Sequence, residues 1–345
     1  MSGSLQRCDL ILLTWNRLDL LRPCVERIFA HTNLPSRLIL VDNGTTDRET
    51  LDYLRGLKGT PTIDLEIVRI PENVWISKAI NEGLSRAKAP WLCLLNNDIL
   101  VTEGWLSEMI HVAQSHPNIG LLNPMSGEFG VLPHPRENVD EVGRRLRRFY
   151  GQWLENSACV GFCMLLPKRV LDQVGYFDDQ FQFFYFEDAD YCLRVRQAGF
   201  DCGVARGTYV YHHGGATLKG DPTRDQRFRQ NEERFFKKWG RQKSLRIAWI
   251  VPDEGRSPHE VRAVIRRQAN EGHKIWVFHT SGMAECIPAH LQVVPIQLPR
   301  FLFGLSILIR VLSKKKKFNR ISLLTKQGFG HWIGRLHGAE VVCES

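Results

Sequence analysis

Along the first part of the chain, apolar runs stop on a polar residue and give way to apolar positions at helical spacing, again and again. Cys8 to Thr14 (CDLILLT) reads as a buried strand; Trp15-Asn16-Arg17 turns into a helix carrying Leu18, Leu21, Val25, Ile28 and Phe29. A second strand, Arg37 to Val41, ends in Asp42-Asn43-Gly44-Thr45-Thr46-Asp47, a polar turn that also offers a helix cap. A third, Ile63 to Ile70, reaches Pro71-Glu72-Asn73, after which Ile76 to Ala87 has helical spacing. The run from Trp91 to Leu95, started by Pro90, is continuously apolar and suits the centre of a parallel sheet covered on both faces. Consecutive βαβ units predict an α/β fold with a right-handed, doubly wound, mostly parallel sheet. The polar strand ends Thr14/Asn16, Asp42/Asn43, Asn73 and Asn97/Asp98 then converge on one edge, where open α/β sheets bind ligands.

The fourth strand runs straight into Asn96-Asn97-Asp98. A carboxylate beside carboxamides can hold a divalent cation that also holds a diphosphate. The competing reading is a turn that caps the helix Glu103 to Ser115. No Gly-x-Gly-x-x-Gly follows the first strand, which argues against a dinucleotide-binding domain.

Residues 126–152, with Arg144, Arg145, Arg147 and Arg148, read as a surface excursion, either a phosphate or acidic-acceptor contact or a solvated face. Apolar residues return at Ala158 to Leu166, and Pro167 starts a helix. Then comes Phe183-Phe184-Tyr185-Phe186-Glu187-Asp188-Ala189-Asp190, an aromatic run ending in acids. Asp188 at a helix N-terminus beside a cleft is a candidate general base, tuned by partial desolvation. The alternative, favoured for Glu187 and Asp190, is that the acids support the first helical turn. Phe200 to Tyr211 is a further strand, closed by His212-His213-Gly214-Gly215; only the company of Asp98 raises a histidine there as a metal ligand.

At 345 residues the chain divides most naturally into two domains. Its 9 cysteines are scattered singly, without the close pairs of a zinc site or a secreted disulfide framework, and point to a reducing cytoplasm. The N-terminus lacks a hydrophobic signal core, and no apolar run reaches the ~20 residues that span a bilayer. The net charge of +9 belongs almost wholly to residues 245–345, with 15 Lys/Arg against 7 Asp/Glu.

Over residues 8–240 the pattern resembles glycosyltransferase family 2, inverting enzymes of the GT-A nucleotide-sugar-binding fold, and in particular its rhamnosyltransferase-like branch. The resemblance rests on LLTWNR, LILVDNGTTD, ENVWISKAINEGLSRA, WLCLLNND, the run from Gly161 to Phe200 and VYHHGG, in the family's order. It implies that Thr14, Asn16 and Asp42 contact the donor's base and ribose, and that Asn73 and Asn81 border the donor nucleotide. It implies that Asn96-Asn97-Asp98 is a DxD motif in NND form, with Asn97 in the donor site and Asp98 the direct metal ligand. Asp188 falls on the catalytic base, and His212 on a metal and diphosphate contact, with His213 its neighbour. One departure stands out: Trp75-Ile76 occupies the place where the family usually has Gly and an aromatic residue. The chemistry implied is Mn2+- or Mg2+-assisted transfer from a UDP-, dTDP- or GDP-sugar to a glycan or lipid-linked glycan acceptor, with inversion, in bacterial surface polysaccharide synthesis.

Arg224 to Trp239 reads as the helix that ends a first domain, 1–240, and 241–244 as a linker. Residues 245–345 then open a second α/β pattern: strand Leu245 to Val251, helix Pro258 to Ala269, a Gly272-His273 turn and strand Lys274 to Phe278. This resembles the N-terminal half of a GT-B glycosyltransferase of the family 4 type, without the second half. Phe301 to Phe318 joins an apolar stripe to a lysine run; it either lies on an anionic membrane or packs on the strand Arg320 to Leu324.

Other function classes fit less well. A GT-A-like scaffold that has lost turnover has no need of Asp42, Asp98, Asp188 and His212 together. A nucleotidyltransferase calls for a glycine-rich basic loop after the first strand, and Thr14-Trp15-Asn16-Arg17 is not one. Nucleic acid is not expected as a partner, because no nucleic-acid motif accompanies the basic charge.

Overall fold

The computed structural model describes residues 7–214, 222–241, 243–252, 257–313, 316–324 and 337–344. Gly215 and the lysines Lys314 and Lys315 of the sequence reading lie outside these residues. The chain forms two compact units, 1–154 with 158–241, and 155–157 with 242–345.

In the first unit the predicted repeats form where the pattern places them. Strands β1 (Cys8–Thr14), β2 (Ser36–Asn43), β3 (Ile63–Ile70) and β4 (Trp91–Asn96) alternate with helices α1 (Leu18–His31), α2 (Arg48–Gly56) and α3 (Trp75–Ser85). The first three strands and β4 are mutually parallel, in the order β3-β2-β1-β4. Successive side chains of a strand point to opposite faces. Leu10, Leu12, Leu38, Leu40, Cys93 and Leu95 therefore fill one core layer, and Ile11, Ile39, Val41, Leu92 and Leu94 the other. Register brings Thr14 opposite Asp42 and Leu13 opposite Asn96, so the polar strand ends do share one edge.

Beyond β4 the chain departs from the simple repeat. Strand β5 (Ile99–Val101) follows Asp98 directly, and α4 (Trp105–Ser115) is capped by Gly104, so Asn96-Asn97-Asp98 does not cap that helix. After β6 (Ile119–Met125), α5 (Val139–Leu146) and β7 (Trp153–Glu155), β8 (Cys163–Pro167) runs antiparallel against β4. Helices α6 (Lys168–Val174) and α7 (Glu187–Gln197) precede β9 (Asp201–His212), parallel to β6 and antiparallel to β5. The nine-stranded sheet is thus mostly parallel with antiparallel insertions, the GT-A-like arrangement expected. The unit ends with α8 (Arg224–Trp239). Two of the four arginines of the excursion are engaged locally: Arg145 pairs with Glu137 at 2.8 Å and Arg147 with Glu103 at 2.6 Å.

The second unit is a separate five-stranded, all-parallel sheet of order β12-β11-β10-β13-β14. Its strands are β10 (Arg246–Val251), β11 (Lys274–His279), β12 (Val293–Gln297), β13 (Arg320–Leu323) and β14 (Glu340–Cys343). Helix α9 (Pro258–Asn270) covers one face and α10 (Phe303–Leu312) the other, and alternation along β10 sends Ile247 and Trp249 to the first layer, Ala248 and Ile250 to the second. All nine cysteines are free thiols. Among the described residues no helix is long and apolar enough to cross a membrane.

Candidate active site

Strand pairing builds the first half of the site. Ile99 of β5 is in register with His212 of β9, so Asp98, one residue earlier, meets the end of β9. The His212 Nε2 lies 3.4 Å from Asp98 Oδ1, and its Nδ1 lies 3.0 Å from Glu128 Oε1. The His213 N–H donates to the Asp98 carbonyl at 3.0 Å, and Phe162 stacks on the imidazole with centroids 4.9 Å apart. Burial lowers the His212 pKa, but hydrogen bonding and charge from Asp98, then Glu128, overcome it and leave the imidazole raised. Asn97, also buried, donates to the Thr14 hydroxyl at 3.2 Å.

The donor set fits a divalent cation of the magnesium or manganese type. Such ions are held by one or two protein ligands and completed by substrate phosphates and water. Asp98 oxygen and His212 Nε2 supply that minimum, and Glu128 on the far nitrogen orients the ring as a carboxylate behind a metal-bound histidine does. Among the described residues no group of three His, Cys, Asp or Glu side chains is placed to hold a metal ion without substrate.

The second half rests on a strained turn. Tyr185 (φ 83°) and Phe186 (φ 72°) are both in the left-handed region that side chains disfavour, and α7 starts immediately after them. Asp188 is half-buried; its Oδ2 accepts from the Gly161 N–H at 3.1 Å and its Oδ1 from the Ala189 N–H at 2.8 Å. Burial raises its carboxyl above the ordinary aspartate value, and these N–H groups oppose the rise without cancelling it. Glu187 is buried, with Oε2 lacking a hydrogen-bond partner, and burial followed by the Asp188 charge pushes it well above the usual range. Asp190 is fully buried and saturated, by Arg194 at 2.9 Å, Lys238 at 2.7 Å and the Trp239 indole at 2.9 Å, which is a supporting role.

Helix α8 closes over this turn. Phe228 packs on Tyr185 and Phe186 with centroids 5.2 Å apart, Arg224 donates to the Tyr185 hydroxyl at 2.8 Å, and buried Asn231 donates to the carbonyls behind the rings. The aromatic run was visible in the sequence; Glu128 and Asn231 were not, because neither sits in a periodic or clustered pattern.

Both halves face one cavity of about 400 Å³. Thr14, Asn73, Asn97, Asp98, Asp188 and His212 line it, against an aromatic wall that includes Trp15, Trp75 and Phe184 to Phe186. Three expected donor contacts lie elsewhere. Asn16 accepts from the Thr46 and Asp47 N–H groups at 2.9 and 3.1 Å and so ties down the loop after β2. Asn81 exchanges hydrogen bonds with the Phe177 backbone at 2.8 and 2.9 Å. Asp42 pairs with Arg69 and lines a second hollow of about 330 Å³ with Leu51, Leu54 and Arg55.

The loop beside Asp42 also explains the Trp75 anomaly. Gly44 (φ 77°) approaches so closely that a Cβ there would stand 2.4 Å from the Asn73 nitrogen. Asn73 Oδ1 in turn accepts from Asn43 at 3.2 Å and from the Trp75 N–H at 2.9 Å, turning the chain so that Trp75 itself takes φ 69°. That conformation suits glycine. Here an indole takes it, projecting into the cavity wall.

Residues 9–175 match the family model Glycosyl transferase family 2. The matched segment runs from β1 through α6, so it contains Asp98 and stops short of Asp188 and His212. An O-antigen biosynthesis protein of Myxococcus xanthus is 28% identical over 225 residues, covering 60% of this chain and 17% of that protein. An N-acetylglucosaminyl-diphospho-decaprenol L-rhamnosyltransferase of Mycobacterium tuberculosis is 23% identical over 242 residues, covering 58% of this chain and 75% of that protein. The chain spans less than a third of the length of the first curated relatives it matches. Among solved structures, a mannosyltransferase from Pyrobaculum calidifontis in complex with GDP-Man and Mn2+ superposes with a TM-score of 0.49 at 14% identity, covering 76% of this chain and 69% of that one.

Proposed function

We propose that the first unit is an inverting glycosyltransferase that moves a hexosyl or deoxyhexosyl group from a nucleotide-diphosphate sugar to a hydroxyl of a glycan or lipid-linked glycan, in the synthesis of a bacterial surface polysaccharide. The observation that carries this reading is that Asp188 and the Asp98–His212 pair line one cavity of nucleotide-sugar size. Family 2 similarity and the O-antigen and rhamnosyltransferase relatives support the reaction class, and the rhamnosyltransferase relative agrees with a deoxyhexose such as rhamnose, carried on dTDP, UDP or GDP.

Asp98 and His212 would hold a divalent cation, Mn2+ or Mg2+, which would supply positive charge to offset that of the leaving diphosphate. Thr14 and Asn97 fix one another, and with Asn73 they line the donor end of the cavity. Asn16, Asp42 and Asn81 act at that end by holding its loops, with Asp42 also open to a base or ribose from the neighbouring hollow. Asp188 takes the proton from the acceptor hydroxyl as its oxygen attacks the anomeric carbon, and the desolvation that raises its pKa makes it the stronger base. Attack opposite the diphosphate inverts the anomeric centre, and no side chain forms a covalent intermediate. The second unit, with its all-parallel 3-2-1-4-5 sheet, we read as a GT-B-like half-domain.

Calorimetric titration of the full chain with dTDP, UDP and GDP and their sugars, with Mn2+ and then with chelator, tests this reading. Metal-dependent binding of one nucleotide class is expected. Absence of binding to all of them would leave a non-catalytic scaffold.

A further inference from the structure

Helix α10 is apolar around most of its circumference, and only one side of it finds a partner within the second unit. Ile307 and Val311 are buried against β10 and β13, with Phe303 and Leu308 packed beside them. The opposite stripe stands in solvent: Phe301 is 85% exposed, Leu302 44%, Leu305 54% and Ile309 60%. A crossover helix on a sheet ordinarily carries polar residues on its outer face. Here Leu302, Leu305 and Ile309 follow one another at helical spacing on that face, and a patch of this kind marks an interaction surface.

The charge around the helix says what the surface meets. Between Glu285 and Glu340 the chain has nine Lys/Arg and no Asp or Glu, a balance equal to the +9 of the whole molecule. Arg300 and Arg310, both exposed, flank the apolar stripe, and exposed Lys316 and Lys317 follow its C-terminal end. Exposed cations of one sign at both ends of a stripe of bare leucine and isoleucine match a plane that is anionic at its surface and apolar beneath. We infer that α10 lies on an anionic lipid surface, with Phe301, Leu302, Leu305 and Ile309 at the acyl boundary and the basic residues at phosphate level. At ten residues the helix is about 15 Å long and lies in the interface without crossing it.

The test is co-sedimentation of the full chain with phosphatidylcholine vesicles, with and without phosphatidylglycerol. Binding is expected only with phosphatidylglycerol, weakening as salt rises, and Arg310→Ala lowers partitioning about fivefold. The exposed double variant Leu305→Ser/Ile309→Ser lowers it by at least about tenfold and leaves the thermal midpoint and nucleotide-diphosphate binding unchanged. Equal binding to neutral vesicles, or none to either, overturns the inference. So does undiminished binding of the double variant, which makes the contact purely ionic, and so does a dimer in solution that the double variant dissolves. Each readout is independent of sugar transfer, so failure here and failure of the transferase reading are told apart.

Discussion

The Asn231 side-chain nitrogen donates to the Tyr185 carbonyl at 3.0 Å, and it reaches the carbonyls of Phe183 and Phe184 at 3.4 Å. A single buried amide on α8 thus secures three successive carbonyls of the strained turn that delivers Asp188. Strain of this kind persists only where the surroundings over-determine it. Asn231→Ala takes the donor away and costs about 1–3 kcal/mol of stability, read from the urea midpoint. Because the turn precedes the base and not the donor contacts, turnover falls more than donor affinity does. A variant with normal stability and normal turnover would remove α8 from this role.

Asp188→Asn keeps the shape of the side chain and its acceptor for the Ala189 N–H but abolishes its basicity. Turnover should drop by about 10²- to 10⁴-fold, with donor affinity by calorimetry unchanged. In the parent protein kcat/KM rises with pH through the Asp188 pKa, which burial sets above the ordinary aspartate value, and levels off once the carboxylate is ionised. Retained turnover in Asp188→Asn would assign the base elsewhere.

Glu128 touches neither reacting atom; it holds the His212 ring from behind at 3.0 Å. Glu128→Gln preserves a hydrogen-bonding group while removing its charge. Second partners of this type change metal affinity by about 10- to 100-fold when mutated. Mn2+ titration in the presence of nucleoside diphosphate should show that loss, while nucleotide binding in chelator stays as it was. Equal Mn2+ affinity in the variant would make Glu128 a loop contact only.

How far the sequence anticipated this site depends on what made each residue visible. β1 and β3 form with the expected ends, because period and run length are local signals. The Asp98–His212 contact depends on β5, three residues long and too short to stand out by period or run length. Strand β8 reads as apolar whichever way it runs, so its antiparallel pairing with β4 is set by tertiary context. Asp42 and Asn16 were legible as polar residues at strand ends and Asn81 as a polar position within a helix, yet whether such a residue faces a ligand or ties a loop is decided by partners such as Arg69 or the Phe177 backbone, distant in sequence. Asn231 lies on the polar pattern of a surface helix, and nothing local marks it as the buried exception.

Glu108 of α4 provides a pH test unconnected with the cavity. It is buried, one oxygen accepts from the Gly151 N–H at 2.8 Å and the other has no hydrogen-bond partner. Burial raises its pKa from 4.5 to about 7. Below the ordinary value the group is neutral in both folded and unfolded chains and costs nothing. As pH rises from 4.5 towards about 7, the unfolded chain ionises first, so stability falls and then levels off. Glu108→Gln should flatten this dependence and gain about 1–3 kcal/mol above neutrality, measured as the difference in unfolding free energy between mildly acidic and alkaline buffer. Identical pH slopes in the two proteins would mean that Glu108 is solvated in the fold.

Trp75 presents the sharpest conflict between backbone and side chain, and the conflict makes it a candidate determinant of donor choice. Its φ of 69° costs about 1–3 kcal/mol for a bulky residue. Against this, Arg227 lies 4.3 Å over the indole, Phe183 meets it edge-on at 4.7 Å, and Asn43 donates to its carbonyl at 3.3 Å. Trp75→Gly relieves the strain, and it also removes a cation–π contact and an aromatic pair, each worth about 0.5–1.5 kcal/mol, together with the area the indole buries. Stability should therefore shift by no more than about 2 kcal/mol, while the cavity loses one wall. The expected outcome is a higher KM for the preferred donor and a smaller gap in kcat/KM between it and bulkier sugars, measured across a donor panel. Trp75→Phe, which keeps a ring against Arg227, should retain more of the original preference. If Trp75→Gly changes stability and leaves the donor ratios untouched, the indole serves the fold of the loop and donor choice lies with the other wall, at Phe184 to Phe186.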